Sequence, residues 1–166
     1  IWTATPLPAG EGSDYLVKHG QGYSSFESFN NGFWQKQEVF VDSEKPVKFI
    51  KLTLRNESKE FRRVTATYYV EWVLGAHREG TSAFIAPNYD AETGSLLARN
   101  TYSTDFSHRV AFLSTDQPVH GLTTDRKEFL GSPGSRKTPE GLKRVGLSGE
   151  VKSGVDPCAA LQTHIN

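Results

Sequence analysis

The stretch FRRVTATYYVEW, residues 61–72, decides the fold. Val64, Ala66, Tyr68, Val70 and Trp72 recur at every second position, with Arg63, Thr65, Thr67, Tyr69 and Glu71 between them. In an extended chain successive side chains point to opposite sides, so this spacing builds a long strand with one apolar and one polar face. The neighbouring stretch VKFIKLTLR, residues 47–55, alternates in the same way, with Ile50, Leu52 and Leu54 on one side. The polar segment NESKE, residues 56–60, has hairpin length and predicts that these two strands pair. Residues 33–41 read as a further strand, ended by the turn DSEKP at 42–46. Short strand candidates follow at 82–85, 95–99, 109–113 and 142–148, with DAETG at 90–94 as a tight turn. Twelve valines and fourteen threonines favour strands. No stretch sustains helical spacing with caps, so little helix is expected. The prediction is an all-β fold, an antiparallel β-sandwich.

The chain has 166 residues, which suits a single domain over 1–166. It holds no methionine and begins at Ile1, which points to an internal fragment of a larger enzyme. SPGSRKTPEG, residues 132–141, reads as an exposed, mobile loop. The tail at 155–166 reads as the start of an element completed elsewhere. Lys+Arg and Asp+Glu each number 19, so there is no bulk attraction for nucleic acid, and no such partner is expected. Aromatic residues make up 11%, which argues against disorder. One cysteine rules out an internal disulfide framework. No apolar run approaches a membrane span, so the fragment itself is expected to be soluble.

Sugar contact is the chemistry with the most candidate residues. In KHGQGY, residues 18–23, two glycines flank Gln21, so the backbone can turn where other residues resist. His19, Gln21 and Tyr23 gathered there could hydrogen-bond hydroxyls; the plainer reading is a bend joining two strands with its polar groups satisfied locally. Trp34, beside a turn, is a candidate aromatic platform, with Tyr15 and Tyr23 as further rings, whereas Trp72 ends an apolar strand face and reads as core. Glu71 is an odd charge for a central strand, either ion-paired or a pocket acid. The five histidines lack metal-ligand spacing, so no metal is expected. Cys158 reads as a packed thiol, and Asn56-Glu57-Ser58 as a chance sequon. No catalytic residue and no cofactor site are assigned.

Several segments in order, TPLPAGEG, YLVKHGQGYSSFES, KLTLRNES and YYVEWVLG, resemble the amino-terminal β-sandwich domain of glycoside hydrolase family 94, formerly glycosyltransferase family 36. LLARN, DRKEFLGSPGS and GLSGEVKSGVDPCAALQ look most like the cyclic β-1,2-glucan synthases within it. Ser132-Pro133-Gly134 departs from the more charged Arg-Asn-Gly type of loop expected there. The resemblance implies a galactose-mutarotase-like supersandwich. It also implies a non-catalytic carbohydrate-associated module supporting the glucan site of an absent (α/α)6 domain. The implied partners are a β-glucan or oligosaccharide, the helical catalytic domain of the same parent chain and, as an option, a second copy in a homodimer. The parent would lie in the bacterial inner membrane with this domain on the cytoplasmic side. A purely structural or dimerisation domain without sugar contact is the alternative. A free-standing sugar epimerase, which would need a His and a Glu converging in a concave sheet face, is a third reading.

Overall fold

The computed structural model describes residues 1–166 except Glu11, Ser103, Gly154, Val155 and Asn166. It is built mostly of antiparallel sheets with about 10% helix. The chain forms two compact units, Ile1–Arg62 and Arg63–Asn166.

The first unit is a four-stranded meander: β1 (Tyr15–Gly20), β2 (Tyr23–Asn30), β3 (Phe33–Val41) and β4 (Lys48–Asn56), paired in that order. Two-residue turns set its register. Gly20 pairs with Tyr23 around Gln21-Gly22, and Asn30 with Phe33 around Asn31-Gly32. Gly22 and Gly32 both have φ +80, and Asn31 has φ 53, the left-handed backbone that hairpin turns matched to strand twist require. One face of this sheet carries its buried polar core. Gln35, 1% exposed, takes a hydrogen bond from the Trp2 indole at 2.7 Å and donates to Ser28 at 2.7 Å. Trp2 stacks on Phe33, and Arg62 lies over the Phe33 ring.

The second unit contains two three-stranded sheets. One has the order β5 (Val64–Glu71), β10 (Pro157–Ile165), β9 (Val119–Asp125); the other has β6 (Ile85–Asp90), β7 (Ser95–Asn100), β8 (Ala111–Leu113). Leu96 of β7, Leu122 of β9 and Ala159 and Leu161 of β10 form one core, with Val70, Trp72 and Tyr89 packed against it. On the opposite side of β10, Ala160 packs with Leu147 and with Phe129 and Leu130 of helix α2 (Arg126–Leu130). The sheet containing β10 is thus covered on both sides. A second short helix, α1, spans Arg78–Thr81.

Several expectations need correction. The strands at 47–55 and 61–72 form, as β4 and β5, but they do not pair: β4 pairs with β3, and β5 pairs with β10. The 56–60 segment leads from one sheet to another. The candidate at 142–148 is not a strand. It begins in a 3-10 turn, Glu140–Lys143, and Leu147 then packs against α2 through its side chain. At 82–85 only Ile85 is extended, since Ser82–Phe84 is a 3-10 turn. In the tail, of which Val155 and Asn166 fall outside the described residues, Pro157–Ile165 is the central strand of its sheet. Within the 132–141 loop, Pro139 and Gly141 are buried while Arg136, Lys137 and Thr138 are exposed.

Candidate functional site

Register fixes where the candidate sugar-contacting residues point. Gln21 occupies the exposed turn between β1 and β2. His19 pairs with Ser24, and its Nδ1 lies 2.9 Å from Ser24 Oγ; its ring meets Phe26 edge-on. Tyr23 pairs with Gly20. Because neighbours on a strand alternate, His19 and Tyr23 project from opposite faces of the sheet. Gly20 makes room for the Tyr23 ring, whose nearest carbon would stand 2.1 Å from an added Cβ.

Trp34 shares its face with Tyr23 but stands at the far end. It pairs with Phe29, whereas Tyr23 pairs with Phe40, six residues along the strands. Its indole N–H donates to Glu27 Oε1 at 3.2 Å, and the Arg55 guanidinium lies over the ring at 5.0 Å from the centroid. A shallow open depression there is lined by Asp14, Leu16, Glu27, Phe29 and Trp34 among others. His19, Tyr23 and Trp34 therefore do not converge on one point, and Gln21 lies on the turn between the first two. Tyr15, raised with them as a ring, faces the other way and donates to the Thr3 carbonyl at 2.9 Å.

Between the two aromatic ends the same face is charged and internally paired. Glu38 bridges Lys36 at 2.7 Å and Lys51 at 4.0 Å. The Lys36 hydrogen bond holds the Glu38 carboxyl below its ordinary range. Beside Tyr23 stand Phe40 and Phe49, stacked at 5.3 Å and both exposed. Sequence reasoning passed over Phe29, Phe40 and Phe49. The signal that could have found them is Asn31-Gly32, which fixes the β2–β3 register and hence the face each residue takes.

The second unit holds the strongest electrostatic cluster. Glu71, at the end of β5, accepts from Tyr69 at 2.8 Å, Arg78 at 3.0 Å, Arg126 at 3.2 Å and Arg136 at 2.9 Å. Arg78 and Arg126 also bind Asp156. Burial opposes the Glu71 charge, but the hydrogen bonds from Arg136, Tyr69 and Arg126 outweigh it and bring the carboxyl to about 2. A carboxylate held this firmly by three guanidiniums cannot accept a proton near neutrality, so Glu71 is an ion-paired brace. It ties β5, α1, α2 and the 132–141 loop together. Burial, with the nearby Asp125, Asp156 and Glu71 charges, pushes the Cys158 thiol to about 12. His120 bonds the Val145 carbonyl at 3.0 Å, and His164 lies 3.2 Å from the Thr65 hydroxyl. Among the described residues no group of three or more His, Cys, Asp or Glu could hold a metal, and no helix is long and apolar enough to cross a membrane.

Comparison with known proteins gives this architecture its kin. The glycosyl hydrolase 94 supersandwich domain matches residues 1–166. The chain belongs to that family. This supersandwich domain is 36% identical over 152 residues to cyclic beta-(1,2)-glucan synthase NdvB of Rhizobium meliloti (strain 1021), covering 91% of the chain and 5% of the synthase. It is 26% identical to solabiose phosphorylase of Paenibacillus borealis, covering 89% of the chain and 20% of that protein. To N,N'-diacetylchitobiose phosphorylase of Vibrio proteolyticus it is 21% identical, over 96% of the chain and 21% of the relative. The supersandwich thus spans a small part of each relative.

Proposed function

We propose that this chain is a non-catalytic, carbohydrate-associated module of a cyclic β-1,2-glucan synthase, supporting the glucan site of an (α/α)6 catalytic domain in the same polypeptide. The observation that carries this reading is the 36% identity to the glucan synthase across 91% of the chain. The module's part is to offer fixed hydrogen-bond groups and aromatic surface to a sugar, while proton transfer belongs to the helical domain. Gln21 and Tyr23 at the β1–β2 turn, His19 behind them and Trp34 at the far end are the proposed contacts. The parent protein sits in the bacterial inner membrane with this module on the cytoplasmic side.

Titration of the chain with β-1,2-glucan oligosaccharides, followed by amide NMR, tests the reading. Shifts that saturate at millimolar ligand support it, and a spectrum unchanged at that concentration counts against sugar contact by the module.

A second reading, an interface domain without sugar contact, has its own support. Leu16, Phe29, Phe40, Val41 and Phe49 are exposed on the strands of one sheet. Large apolar side chains gathered on one sheet are a usual mark of a contact surface. Analytical ultracentrifugation separates the two: a stable homodimer, with no sugar-induced shifts, favours the interface.

A further inference from the structure

The four-stranded sheet presents a face whose rows follow directly from register. The end row joins Gly20, Tyr23, Phe40 and Phe49; two charged rows follow; the last joins Phe29, Trp34 and Arg55. Tyr23 is 50%, Phe49 44% and Phe29 58% exposed, so aromatic carbon faces water at both ends. Six residues of strand separate the ends, roughly 20 Å at about 3.3 Å per residue.

The geometry points to an extended, uncharged oligosaccharide lying along this face, one sugar ring against the Tyr23–Phe40–Phe49 cluster and another against Phe29. This rests on the carbohydrate-associated reading above and adds the place, the orientation and the need for a chain rather than a single sugar.

Two arguments select this occupant. The first is charge. In the middle rows Glu38 pairs with both Lys36 and Lys51, Glu27 is held by the Trp34 indole, and Lys18 stands exposed in the Glu38 row. Two carboxylates thus offset two of the three lysines, a residual charge too small to select a polyanion, and unused lone pairs and N–H groups remain side by side. A polyol supplies donors and acceptors to both kinds. An apolar protein surface or a lipid would strip water from the ion pairs without replacing it, at a cost that the pairing does not recover. The second is area. Four strands about 4.8 Å apart and roughly 20 Å long give a patch of roughly 400 Å², about half of the roughly 800 Å² per partner that a stable protein interface buries. Aromatic faces carry negative charge density that attracts the polarised C–H groups of a pyranose, so two separated platforms suit two sugar rings on one chain. At the far end Phe29 is the open ring; Arg55 covers Trp34 and offers guanidinium N–H groups at the rim.

The test uses linear β-1,2-glucans of graded length, with amide NMR for location and calorimetry for affinity. The expected result is shifts at both ends of the face with one ligand. Chains long enough to reach both platforms should bind about tenfold tighter than a disaccharide. Phe29→Ala and Phe40→Ala should each erase that length dependence. Both positions are exposed, and Phe40→Tyr, which keeps a ring, should restore binding and control for folding. Shifts confined to other surfaces, with both alanine variants binding as the parent does, overturn this inference while the carbohydrate reading stands. No shift with any length overturns both. A dimer that protects this face overturns the choice of a sugar as its occupant.

Discussion

Strands β4 and β10 are both nine residues long, and they are built in contrasting ways. β4, KFIKLTLRN, is an edge strand that alternates apolar and polar residues and keeps most of its side chains in water. β10, PCAALQTHI, is a central strand whose first six residues are all buried. Cys158, Ala159 and Ala160 are small because both faces of β10 are covered: Ala159 and Leu161 face the β7 side, and Ala160 faces α2. One-sided burial writes a period of two into a sequence, whereas two-sided burial erases it. The contrast extends to energetics, since the first unit's sheet holds side chains that can be changed singly and the second unit's core is shared among three layers.

The sharpest way to break this contrast is truncation. Leu96→Ala, at a residue with 0% exposure, should cost about 3 kcal/mol in urea unfolding. Leu52→Ala, at 37% exposure on β4, should cost less than about 1 kcal/mol by the same measurement. Equal costs would mean that the two sheets are packed alike. Next in size is the Glu71 brace. Glu71→Gln keeps the shape but leaves three guanidiniums with one carboxylate fewer, and should cost about 2 kcal/mol, less than a fully buried pair. The same group predicts an acid response. Its folded pKa lies below the unfolded value, so its contribution is present above about 4.5 and lost as pH falls toward about 2. Thermal midpoints over that window should fall more steeply in the parent than in Glu71→Gln, and parallel curves would remove Glu71 as the cause. The smallest effect belongs to a turn. An added Cβ at Gly22 meets nothing within 4 Å, so Gly22→Ala carries only the strain of φ +80, about 1 kcal/mol by chemical denaturation.

The same contrast explains what could be read from the sequence. The strand boundaries at 33–41 match β3, and those at 47–55 and 95–99 agree with β4 and β7 to within a residue at either end. All three alternate or lie beside clear turns. β2, YSSFESFN, shows no alternation because serines occupy both of its faces, with Ser25 and Ser28 buried on opposite sides; only the glycine bend before it marks a strand there. β9 carries Gly121 in mid-strand, where Gln162 Oε1 would stand 2.7 Å from an added Cβ; that close approach reads in one dimension as a break. Pairing was less legible still, because β5 finds its partner at the other end of the chain. As for the candidate site, the residue types were visible and their faces were not. His19 and Tyr23 are four residues apart, an even number that suggests a shared face. The two-residue turn between them places them on paired strands instead, and sends them to opposite sides.

The position of β10 has a consequence for synthesis. Val64 pairs with Ile165, so β5 leaves the ribosome about a hundred residues ahead of its partner, a wait of about 5–20 s at roughly 5–20 residues per second. The meander of the first unit can close hairpin by hairpin as it emerges, since each strand meets its neighbour within a few residues. Val70 and Trp72 must meanwhile stay in water or in the keeping of a chaperone. The vulnerable moment for this polypeptide in the cell is therefore that interval, and overexpression should expose it first as nascent chains that stick together before β10 arrives.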